Sequence, residues 1–109
     1  MKITDIIIKP YQGSSSKRFT AIIKYNVDNM EKKKTVNFGF SGANTYFDGA
    51  TEEKRKAYIA RHSKSPGQDW SDPLTAGYWS RFFLWEVRKN KISSYIKSLF
   101  PGAKIKIDV

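Results

Sequence analysis

One segment gathers the groups best suited to chemistry: Glu52 to Lys64, EEKRKAYIARHSK. Read as a helix, it sets Lys54, Tyr58, Arg61 and His62 at i, i+4, i+7 and i+8, with Arg55 beside them and Lys64 closing the run. These four share a face. Closely spaced cations around an aromatic suit a polyanion: the charges meet phosphates while the ring stacks on a base or packs against a side-chain stem. The plainer reading is a solvated helix face that Tyr58 and Ile59 anchor to a sheet.

Other basic clusters favour the first reading. Lys17 and Arg18 end a Gly/Ser loop, Lys32, Lys33 and Lys34 precede a strand, and Arg88, Lys89 and Lys91 separate two helices. No recognition helix aims Asn, Gln or Arg at base edges, so the expected contact is with the phosphate backbone, without sequence reading.

Catalytic patterns are sparse. His62 is the single histidine, with no Ser-His-Asp spacing and no glycine-rich phosphate loop around it. Asp48, Glu52, Glu53, Asp69 and Asp72 form the one set of acids that could hold Mg²⁺ as in a nuclease. Glu52 and Glu53 have a simpler use at a helix start, and Asp72 before Pro73 is a common turn. The absence of cysteine excludes disulfides, thiolate metal sites and a cysteine nucleophile. The expectation is a protein that is not an enzyme and uses no cofactor or metal.

Composition agrees with a binding role. Lys and Arg number 20 against 10 for Asp and Glu, a net charge of +10 on 109 residues. That much like charge repels itself, and an anionic partner relieves it. Aromatic residues make up 15% of the chain, enough large side chains to build one aromatic-rich core. The apolar run in MKITDIIIKP is too short for a signal peptide and no stretch reaches membrane-spanning length. An intracellular or intraparticle setting without membrane contact is expected.

The elements that must position these groups follow from periodicity. Ile3 to Lys9 reads as a β-branched strand ending at Pro10, and Tyr11 to Arg18 as a loop. Phe19, Ala21, Ile23, Tyr25 and Val27 alternate with polar neighbours, Ile22 being the one exception, as do Val36, Phe38 and Phe40 after a turn at Asp28-Asn29. Three such strands predict an antiparallel meander. Ser41 to Ala50 is a loop, Thr51 an N-cap, and the basic helix runs to Arg61 or His62. A second loop, Ser63 to Pro73, contains Pro66 and Gly67. From Thr75 to Trp85 the helical step puts Tyr78, Trp79, Phe82, Phe83 and Trp85 on one arc, the expected centre of the core. Arg81, off that arc, is expected to pair with an acid such as Asp69 or Asp72. Asn90 is a candidate cap for a last helix that Pro101-Gly102 stops, and Lys104 to Ile107 alternates as a final strand. The fold class is α+β: a three- to four-stranded antiparallel sheet packed against about three helices in a single domain over residues 1–109.

Phe38-Gly39, the basic run Lys54 to His62, Trp70, the string Leu74-Thr75-Ala76-Gly77-Tyr78-Trp79-Ser80-Arg81 and Leu84-Trp85 occur in an order that resembles a small uncharacterised family of nucleocytoplasmic large DNA viruses, of the phycodnavirus and mimivirus kind. After Trp85 the chain departs from that pattern, with Glu86 to Asn90 in place of a proline-containing link. The resemblance implies a virion or viral-factory setting and two kinds of partner. The first is DNA, which Lys54, Arg55, Tyr58, Arg61, His62 and Lys64 would contact, with Lys17, Arg18 and Lys32 to Lys34 in support. The second is an acidic capsid protein, met by a minor capsid or cement protein whose exposed aromatics Tyr46 and Phe47 would serve as anchors.

Overall fold

The computed structural model describes residues 1–66 and 69–109, so Gly67 and Gln68 of the second expected loop lie outside the described residues. Four strands, β1 (Lys2–Pro10), β2 (Phe19–Val27), β3 (Met30–Phe38) and β4 (Lys104–Ile107), form one sheet in the order β3-β2-β1-β4. β1, β2 and β3 are the expected antiparallel meander. Its second turn is tight because Asp28 and Asn29 both adopt left-handed backbone, φ 51° and 63°, where their short polar side chains are tolerated.

β4 departs from the expectation of a wholly antiparallel sheet. It lies beside β1 and parallel to it, pairing Asp5 with Lys104 and Ile8 with Ile107. The helices carry the chain back across one face, so it re-enters the sheet running with β1; the fold is α+β with a mixed, mostly antiparallel sheet.

Three helices cover that face. α1 (Glu52–Ser63) starts at Thr51, whose hydroxyl accepts from the Lys54 amide at 3.2 Å, and runs one to two residues past the expected end. α2 (Ala76–Trp79) starts at Thr75 in the same way and continues as a π-helical stretch, Ser80–Leu84. The wider i→i+5 turns change the phase of the helix. Tyr78, Trp79, Phe83 and Leu84 therefore enter the core, while Phe82 and Trp85, expected on the same arc, are only half-buried. α3 (Ile92–Leu99) follows directly from a 3₁₀ turn over Lys89–Lys91. Asn90 sits inside that turn, so it does not cap the helix as expected; the extended residue before the turn is Arg88.

The core joins Ile6, Ile8, Ala21, Ile23, Val36 and Phe38 of the sheet to Trp79, Phe83, Leu84, Ile92 and Ile96 of the helices. Phe83 packs edge-on to Phe19 and Phe38 at 5.3 and 5.6 Å, the geometry that aromatic quadrupoles favour. Trp79, fully buried, donates its indole N–H to the Pro73 carbonyl at 2.7 Å, so its burial strands no polar group.

A candidate nucleic-acid cleft

At one end of the sheet, β3 stops at Phe38 rather than running on through Phe40 as expected. Gly39 adopts φ +80°, and a Cβ there would stand 3.0 Å from both Arg18 Cβ and Leu84 Cδ1. Only glycine meets both constraints without strain. The turn throws Phe40 outward, leaving it 64% exposed. The Gly/Ser loop before β2 is tied to the same place: the Arg18 amide donates to the Phe38 carbonyl at 3.1 Å and the Ser41 amide to the Ser16 carbonyl at 2.8 Å. Lys17, between those two bonds, is held at the rim.

The opposite wall is α1, which rests on a stack of rings. Tyr58 lies on Trp85 with centroids 4.6 Å apart and planes 9° apart, and His62 covers its other face at 4.1 Å. The His62 Nδ1 is 3.1 Å from the Tyr58 carbonyl. A carbonyl only accepts, so Nδ1 carries the proton and Nε2 is left for a ligand. Burial raises the Tyr58 hydroxyl above the usual tyrosine pKa, against the opposing pull of Arg81 and Arg61.

Between these walls lies a cleft of about 390 Å³. Lys17 and Phe40 line one side, Tyr58, Arg61 and His62 the other, and Gly77, Ser80 and Trp85 the floor. It unites cations from two distant stretches of sequence with an exposed aromatic.

Of the expected contact residues, the structure brings Lys17, Tyr58, Arg61 and His62 together here. Tyr58 has rings on both faces, so it is a spacer within the stack and not the surface on which a base would lie. Lys54 on α1 and Lys64 just after it are exposed but do not line the cleft. Arg18 and Arg55 are occupied. Arg18 makes a two-pronged ion pair with Asp48 and lies over Phe19 and Phe47 at 5.0 and 5.4 Å. Arg55 donates to Glu52 at 3.0 Å, Glu86 at 2.9 Å and the Trp85 carbonyl at 3.0 Å, which fastens α1 to the end of the aromatic segment. Lys32, Lys33 and Lys34 cannot act as one cluster, because alternate residues of a strand face opposite ways. Their strand also carries them away from the cleft: Lys32 is about 20 Å from Phe38 at about 3.3 Å per residue.

Arginine and lysine divide the work. Among the described residues every ion pair is made by Arg18, Arg55 or Arg81, and no lysine takes part. Arg81 pairs with Glu86 rather than with Asp69 or Asp72, which instead accept from Ser71 and the Leu74 amide in local turns. Arg88 donates to the Tyr46 and Ala50 carbonyls at 3.1 and 2.6 Å. Arg61, in the cleft, is the one arginine with no hydrogen bond or ion pair among the described residues.

Two other residue sets weighed on the sequence are dispersed or covered. The five acids do not assemble: Asp48 and Glu52 are spent on Arg18 and Arg55, and among the described residues no three His or acidic groups could share a metal. The capsid anchors are not exposed either. Phe47 is buried in the core, and Tyr46 lies beneath Arg88, whose guanidinium is 3.7 Å from its ring centre. The cleft residues that sequence reasoning missed are Phe40 and Trp85. By alternation Phe40 takes the next inward position of β3, and by helical spacing Trp85 falls in the core; Gly39, with Gly42 close behind it, is the signal in the sequence that the strand ends.

Gly39, Tyr58, Arg61, His62, Gly77, Ser80 and Trp85, from three separate stretches of sequence, all line the cleft. Among the described residues no helix is long and apolar enough to cross a membrane. No curated protein and no solved structure matches the chain. Over residues 11–62, from the Gly/Ser loop to His62 of α1, it is similar to a family of unknown function, DUF5754.

Proposed function

We propose that the chain is a non-enzymatic nucleic-acid-binding protein that grips the phosphate backbone and stacks an unpaired base in the cleft, without reading sequence. The observation that carries this reading is the meeting of Lys17 and Arg61, neither of them in an ion pair among the described residues, beside the protruding ring of Phe40. Phosphates take the two cations, and a base lies against Phe40 with the His62 Nε2 at its edge. The rings and cations offer no fixed set of donors and acceptors, which fits sequence tolerance. Bases paired within a duplex are shielded from such a ring, so single strands are preferred. In the setting that the viral resemblance implies, the partner is DNA exposed during replication or packaging.

The test is a salt titration of binding to a labelled oligothymidine strand. Two phosphates neutralised in the cleft give a slope of about −1.4 in log K against log salt, and further lysines steepen it. Absence of binding by micromolar protein at low salt contradicts the reading.

A further inference from the structure

The helices cover one face of the sheet and leave the other bare. Register and alternation identify what the bare face carries. Ile6, Ile8, Ala21, Ile23, Val36, Ile105 and Ile107 belong to the core or pack against it, whereas Ile7 and Ile22 do neither. The residues in step with Ile7 and Ile22 therefore point away from the helices. They include Lys9 on β1, Lys24 on β2, Lys33 on β3 and both Lys104 and Lys106 on β4, with Lys2 beyond the irregularity in β1.

Against these six lysines the face has Asp5 and Glu31 on the strands and Asp108 just past β4, where its amide donates to the Ile8 carbonyl at 2.8 Å. None of the lysines is in an ion pair among the described residues. Neighbouring strands lie about 4.8 Å apart, so the ammonium groups form a broad grid and not a single row. Within the four strands no aromatic residue is in step with Ile7 and Ile22, which are themselves half-buried. A surface of that kind holds charge and has nothing to insert between acyl chains or bases. Its occupant is a phosphate backbone.

We infer that this sheet face is a second nucleic-acid surface, on the opposite side of the sheet from the cleft, and that one molecule bridges two nucleic-acid segments. The inference rests on the cleft reading for the first segment, while the lysine grid supplies the second. The cleft favours a single strand because it offers a ring; the grid favours a duplex, whose phosphates are more densely spaced than those of a single strand.

The experiment uses a bead-bound oligothymidine strand, a fluorescent duplex in solution and the full chain. Wild-type protein is expected to retain the duplex on the beads. The variant Lys24→Gln/Lys33→Gln/Lys106→Gln changes only solvent-facing side chains, and its fold is checked by near-ultraviolet circular dichroism. It is expected to bind the strand within about threefold of wild type and to lose at least about tenfold in duplex retention. Wild type that binds the strand but retains no duplex overturns the bridging inference and leaves the cleft reading intact. Wild type that binds no strand overturns the cleft reading. Undiminished retention by the variant, as a dimer joined elsewhere would give, overturns the sheet-face assignment. So does a variant that loses binding to phosphatidylserine-containing vesicles while still bridging DNA, because the face then serves a lipid surface.

Discussion

Tyr58 and Trp85 lie almost parallel, 9° apart at 4.6 Å, and the stack joins α1 to the end of the aromatic segment. The helix contributes no residue to the core cluster, so its placement draws on this stack and on the Arg55–Glu86 pair. One wall of the cleft thus rests on the Tyr58 ring and on Arg55, which also donates to the Trp85 carbonyl.

Removing the ring should loosen that wall. Tyr58→Ala is expected to cost about 2–3 kcal/mol in urea unfolding, toward the lower end for aromatic truncation because the ring has neighbours on its two faces only. Tyr58→Phe keeps the stack and should change stability by less than about 0.5 kcal/mol. Hydrogen exchange along α1 should accelerate in the alanine variant and stay near wild type in the phenylalanine variant.

Asp48 predicts an acid dependence. Its carboxylate accepts from the Arg18 guanidinium and from the Thr45 amide and hydroxyl, which hold its pKa at about 2 against an ordinary 3.8. A carboxylate depressed in the folded state stabilises the fold fully above its unfolded pKa, and that contribution fades as pH falls from about 4 through about 2. The pair is partly exposed, so Asp48→Asn should cost only about 1 kcal/mol at pH 7. Unfolding curves for the two proteins should converge as the pH is lowered to 2.

Phe40 separates binding from folding. Its ring is exposed, so Phe40→Ala should alter stability by less than about 0.5 kcal/mol. Losing one base-stacking platform costs about 1–3 kcal/mol of binding, roughly a 5- to 150-fold rise in Kd for a single strand. Fluorescence anisotropy with one labelled oligonucleotide, beside thermal unfolding of both proteins, checks the two halves together.

Local rules made much of this legible beforehand. Alternation fixed the first three strands, and Thr51 followed by two acids marked the start of α1. Pro101-Gly102 marked the end of α3. The direction of β4 was not legible, because KIKI alternates identically in a parallel or an antiparallel ladder. The uses of the arginines were hidden for a similar reason. Lys17-Arg18 reads as a basic pair, yet Arg18 meets an aspartate 30 positions away while Lys17 remains on the rim. Such pairings depend on tertiary approach. The cleft was half legible: the i, i+4 spacing of Tyr58 and His62 placed them together, whereas the arrival of Lys17 and Phe40 required the turn at Gly39.

The central claim is that Lys17 and Arg61 grip phosphate within the cleft. The direct measurement is the Kd of wild type and of Lys17→Gln/Arg61→Gln for a twelve-residue oligothymidine at one low, fixed salt concentration. The double variant should bind at least about tenfold more weakly, with a salt slope shallower by about 1.4, while its thermal unfolding stays close to wild type. Equal affinity and an unchanged slope would contradict the account.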